Sequence, residues 1–227
     1  QELYNELSAL GGIEKASYAY FEHGSLKIDK DLIDKDYIEY YYREFGENPN
    51  RIINVSAFLN FIEDSLYEEY LKENSLNKDD YLNAPFPKAI AVDFIKIYNV
   101  DEGRYYTFNI MNTDTFDVAL ISEKRIEGYY LSRTEVNDDG EKYYIYKDVN
   151  NNGTEIRLTA EEAVENYTLP VGAVVENKPF CVDYNYGGIT LIYPYSAMDK
   201  ILNKSSDEVS TGFYFKANKD HKALFNK

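Results

Sequence analysis

The sequence predicts an α+β fold in two subdomains, one built from residues 1–99 with 169–227 and the other a β-rich lobe inserted as 100–168. Three observations lead there. Strand and helix patterns alternate at both ends of the chain, whereas the middle carries short strand patterns between turn signals. Charge divides in the same way: 19 acidic and 10 basic residues fall in 1–99, 15 and 7 in 100–168, and 6 and 7 in 169–227. The length of 227 residues, at 44% hydrophobic and 28% charged, suffices for a sizeable core.

The elements follow in order. Leu3, Leu7 and Leu10 recur at helical spacing, and Gly11-Gly12 stops that helix. Ile13 to Phe21 alternates apolar and polar residues as a half-buried strand does, and the segment around His23 reads as an acidic, aromatic loop. The Tyr-rich stretch 31–46, closed by Gly46, fits a short helix or an ordered excursion equally. Residues 51–56 read as a buried strand, with Ser56 capping a helix over 57–73. In that helix Phe58, Ile62, Leu66 and Tyr70 recur at i+4, while Glu68 and Lys72 pair on the outer side. Pro85 and Pro87 form a turn before a strong strand over 88–99.

In the middle lobe, 104–110, 116–122, 142–148 and 154–158 are short strands, followed by an acidic helix over 160–167. The last quarter gives strands at 169–177 and 187–194, a helix over 195–204, a strand at 208–217 and a helix over 220–227.

A net charge of -16 argues against nucleic-acid binding through phosphates and disfavours an anionic membrane surface, since both need clustered cations. The apolar runs fall far short of the ~20 residues that span a bilayer. One cysteine, Cys181, excludes an internal disulfide framework. The 24 tyrosines are explained first by A/T-rich coding and only second by an aromatic sugar-binding surface.

Catalytic signals are sparse. The P-loop, the nucleophile elbow, the dinucleotide fingerprint and the two-histidine zinc helix are all absent. The two histidines, His23 and His221, could in principle serve Cys181, but Cys181 reads as part of a packed strand. Among so many carboxylates no pair stands out as a glycosidase dyad. The sequence therefore assigns no catalytic residue, no cofactor and no enzyme activity. Asp148, Asn150 and Asn152 before Gly153 match the first half of a calcium loop. The second half departs from it, with Thr159 at the twelfth position, and a hairpin turn is the preferred reading over calcium.

The last quarter carries a resemblance. Val171, Gly172, Val174 and Val175, then Ile192, Pro194 and Ser196, then Phe213, Phe215, Lys216 and Ala217 fall in the order seen at the end of one family's outer domain. That family is the FtsX/MacB-like ABC-transporter permeases, and the resemblance is to their extracytoplasmic domain. The Leu-studded start running into Gly12-Ile13 is similar to the family's front end and the stretch 51–93 to Gram-positive members, while 100–168 is matched by position alone.

The resemblance implies a porter-like α+β lobe with an inserted lobe, between two transmembrane helices on the extracellular face of a bacterial cell membrane. It also implies transport or signalling driven by ATP at a separate cytoplasmic ATPase subunit, with a cationic peptide, lipid-linked or protein client. A homodimer is compatible with it. The opening at Gln1 and the close at Lys227 are then expected to be boundaries at the membrane. Leu3, Leu7, Leu10, Leu224 and Phe225 would be the membrane-proximal lever. The alternative is a secreted ligand- or carbohydrate-binding module without catalytic activity.

Overall fold

The structure, a computed structural model, describes residues 5–6, 12–47, 49–124, 126–151, 153–182, 187–204 and 209–219. It is a mixed α+β protein dominated by strands. The strands are β1 (Ile13–Asp29), β2 (Ile52–Ile62), β3 (Ala89–Val92), β4 (Phe94–Asn99), β5 (Arg104–Asn109), β6 (Phe116–Glu123), β7 (Tyr129–Val136), β8 (Lys142–Asp148), β9 (Glu155–Thr159), β10 (Val164–Val174), β11 (Gly188–Pro194) and β12 (Gly212–Ala217). Among the described residues the α-helices between them are α1 (Lys35–Phe45), α2 (Asp64–Glu73), α3 (Lys78–Tyr81) and α4 (Met198–Leu202).

Seven strands form one sheet in the order β12-β1-β2-β11-β3-β10-β6, and β6 then pairs back onto β1. The pairing therefore closes a six-stranded ring, with β12 added outside it. Closure depends on Ser25, Leu26 and Lys27 meeting Ile121, Leu120 and Ala119. It also depends on Gly24, where a Cβ would lie 2.7 Å from a Leu120 methyl and 2.9 Å from the Ile121 carbonyl oxygen. Two smaller sheets stand apart, the hairpin β4-β5 and the meander β7-β8-β9.

Alternate residues of the ring strands build the main core. Leu26, Ile28, Ile53, Val55, Ala57, Leu59, Phe61, Leu120, Leu169, Ile189 and Leu191 are buried together, with Tyr37 of α1 and Met198, Ile201 and Leu202 of α4 packed among them. The opposite face carries a second cluster under α2 and α3, made by Ala19, Ile62, Leu66, Tyr67, Tyr70, Ile90 and Ile192. Burying a side chain of this size contributes about 1.5–3 kcal/mol.

Several expectations are corrected. The helix predicted over 57–73 is a strand to Ile62, and α2 begins only at Asp64. β2 is central, so residues 59–62 are buried on both faces, and the resulting apolar run satisfies helical spacing by accident. Ser56 is therefore a mid-strand residue that caps nothing. The strand expected at 88–99 breaks at Asp93, whose carboxylate accepts the Met111 N–H at 2.9 Å and sends β4 into a different sheet.

The helix expected over 160–167 is one turn. Thr159 and Glu162 make the reciprocal bonds of a capping box, but the chain extends into β10 from Val164. The segment around His23 is part of the 17-residue β1. Cys181 lies in an irregular buried turn between β10 and β11.

The boundary drawn around 100–168 does not follow the sheets. β6 and the start of β10 complete the ring built by the chain's two ends, and only the two small sheets stand outside it. β7, one of the latter, has no counterpart among the expected strands.

Candidate functional site

The ring opens where β1 is handed from one neighbour to the next. Among the described residues β1 pairs with β12 as far as Ala19 opposite Gly212, and with β6 from Ser25 opposite Ile121. A cleft of about 1260 Å³ lies at this opening. One wall is β1 from Phe21 to Ser25, with Ile121 and Tyr167 beside it. The facing wall is the meander, which contributes Tyr129, Tyr130, Leu131, Tyr144 and Tyr146. The volume exceeds the usual ~300–1,000 Å³ of a small-molecule pocket and suits an extended ligand.

A buried ion pair sits in the floor. Glu22 follows Tyr20 on the inward face of β1, and its carboxylate accepts from the Lys204 ammonium at 3.0 Å and from the Tyr20 hydroxyl. The side chains of Glu22 and Lys204 are 7% and 10% exposed. Lys204 reaches this position because Asn203 takes a left-handed conformation (φ 49°, ψ 42°) that ends α4 and turns the chain toward β1. The Tyr167 hydroxyl donates to the Leu202 carbonyl at 3.4 Å and ties β10 to the same turn. Behind the pair, Tyr20 and Phe61 lie 6.2 Å apart, and Phe61 and Tyr193 stack at 5.4 Å.

On the outer side of β1, Phe21 and His23 both lie against Phe58, at 6.0 and 5.2 Å between ring centres. The meander wall is fixed from behind by the Tyr146 hydroxyl, which donates to the Lys124 carbonyl at 2.8 Å. It is braced across its width by Arg133, which holds both carboxylate oxygens of Glu155 at 2.9 and 3.0 Å. Those bonds hold the Glu155 carboxyl below the usual range. The cleft thus offers aromatic faces, exposed main chain and a locked charge pair, an arrangement suited to binding.

The residues singled out from sequence lie elsewhere. Asp148 and Asn150 belong to the β8–β9 turn, where the Asp148 carboxylate accepts the Asn150 and Asn151 N–H groups at 2.7 and 3.2 Å. Asn152 lies outside the described residues. Among the described residues no three His, Cys, Asp or Glu side chains gather as a metal site.

Cys181 is 2% exposed, and burial pushes its thiol up to about 11, the opposite of what a nucleophile needs. His221 and the lever residues Leu3, Leu7, Leu10, Leu224 and Phe225 lie outside the described residues. Glu22, Lys204 and the meander tyrosines were missed. Glu22 could have been found as the one acid on the apolar phase of β1 between Ala16 and Ile28, had that strand been drawn past Phe21.

The chain matches no known protein family, no curated protein and no solved structure. No helix among the described residues is long and apolar enough to cross a membrane.

Proposed function

We propose that the chain is the extracytoplasmic domain of an ABC-transporter permease of the FtsX/MacB type, on the extracellular face of a bacterial cell membrane. The observation that carries the reading is the side-by-side arrangement of the described ends. Ile13 faces Ala217, and the Asn218 N–H donates to the Gly12 carbonyl at 2.8 Å. A domain held between two membrane helices needs this geometry.

β1 then links the membrane end to the cleft in one continuous strand. A force arising from ATP hydrolysis in a cytoplasmic ATPase subunit would pass along β1 and β12 to the edge that lines the binding site. Residues 1–10 and 219–227 act as the levers, and the excess of acidic side chains favours a cationic client over an anionic one. The test is the coding sequence on either side of the chain. Apolar runs of ~20 residues before Gln1 and after Lys227 are expected, and a polar flank on either side contradicts the reading.

The aromatic wall of the cleft favours one second reading, a secreted ligand- or carbohydrate-binding module. Titration with a soluble chitin or cellulose oligosaccharide, followed by tyrosine fluorescence, tests it. Saturable binding lost in Tyr130→Ala supports it, and an unchanged signal removes it.

A further inference from the structure

The opening in the ring exposes main chain as well as side chains. Successive residues of an antiparallel strand turn their N–H and C=O groups to opposite edges. In β1 the Tyr18 carbonyl accepts from Glu63, which follows β2, and the Lys30 N–H donates to the Arg51 carbonyl, which precedes it. The register between β1 and β2 runs without irregularity from Ala19 to Asp29. Even-numbered residues therefore face β2, and odd-numbered residues face the other edge.

On that other edge Ala19 is taken by β12, and Ser25 and Lys27 by β6. Phe21 and His23 fall between, and among the described residues no strand pairs with them. They present two N–H and two C=O groups over a gap of about 20 Å, at ~3.4 Å per residue. Natural sheets cover such edges or fill them with charge, whereas this one lines a cleft faced by tyrosines.

We propose that this edge is a strand-addition site, at which an extended peptide segment of a partner pairs with Phe21 and His23 and fills the stretch of the β1 edge between β12 and β6. Such recognition takes affinity from main-chain bonds and specificity from side chains at alternate positions. One set of those side chains would lie beside Phe21, His23 and Phe58. The other would point toward the meander wall at Tyr129 and Tyr130. The net charge of -16 draws a positively charged segment to the domain at long range, while in the cleft itself Glu22 is held by Lys204 and Glu127 is balanced by Lys124, so the aromatic walls select apolar residues between the segment's cations. The site stands on backbone geometry and holds whether or not the chain is tethered to a membrane.

The probe is a blocked octapeptide alternating lysine with valine and phenylalanine, followed by fluorescence anisotropy and by amide exchange. Saturable binding is expected, with the Phe21 and His23 amides becoming slow to exchange while those of Tyr20 and Glu22 are unchanged. Methylating the peptide nitrogens along its bonding edge should weaken binding at least tenfold, because the charge is kept and the donors are lost. His23→Pro should weaken it by a similar factor, since it removes an N–H from the open edge and none from the β2 ladder. Equal affinity for the methylated peptide, or exchange protection outside 19–25, overturns the proposal. Absence of binding at millimolar peptide overturns it as well.

Discussion

Replacing Lys204 by methionine removes one half of the buried pair and leaves its volume nearly unchanged. The Nζ–Oε2 distance is 3.0 Å, and both side chains are about nine-tenths or more withdrawn from water. At an effective dielectric of about 20 the direct attraction is roughly 5.5 kcal/mol. Desolvation offsets much of that in the intact pair, but a lone Glu22 carboxylate keeps its desolvation cost without its partner. Loss of one member should therefore destabilise the fold by about 3–5 kcal/mol. Glu22→Gln combined with Lys204→Met removes both charges and should recover most of the loss, giving a coupling of about 2 kcal/mol or more. Urea denaturation of the wild type, both single variants and the double variant measures all four corners at similar m-values. A Lys204→Met cost below about 0.5 kcal/mol, or strictly additive variants, would refute the reasoning.

Asp93→Asn should stabilise the protein at neutral pH, because desolvation by burial raises the Asp93 carboxyl pKa above its ordinary value despite the bonds it accepts from the main chain. A raised pKa means that the wild type is relatively most stable below the unfolded value of ~3.9 and loses this contribution as pH rises through the folded one. Melting curves from pH 3.5 to 7 should show the two proteins alike at the acid end and the variant higher at neutrality. Gly188→Ala should destabilise by about 1–3 kcal/mol in the same urea assay, since its Cβ would sit 2.5 Å from the Ser56 carbonyl oxygen and 2.7 Å from the Phe58 ring. Cys181 should resist a thiol reagent at pH 8 in the folded protein and react fully in denaturant, because it is buried and its thiol is pushed up to about 11.

Local pattern made part of this fold legible. The strand start at Ile13 and β11 were found because alternation or a short apolar run is bounded by Gly or Pro, and β12 because Phe213 and Phe215 alternate with polar residues, although the predicted strand began at 208. The end of α2 was found because Leu66 and Tyr70 lie on one helical face. The first half of that predicted helix failed because Phe58 and Ile62 are also consistent with a strand buried on both sides, and only its neighbours β1 and β11 decide the period. Ring closure was invisible because it joins residues 25–27 to 119–121 through three pairings, with Gly24 the sole local hint. The cleft was invisible for a related reason. Glu22 and Lys204 are 182 residues apart in sequence, and no motif links them. Four of the tyrosines, first explained by coding bias, line one wall of it.

In the proposed arrangement the domain faces the outside of a cell with both ends at the membrane. The direct measurement labels Val100→Cys, which replaces a side chain 80% exposed at the β4–β5 turn, in a Cys181→Ser background of the full-length protein in intact bacteria. A membrane-impermeant maleimide should label it fully without lysis. Labelling only after the cells are broken would contradict that arrangement.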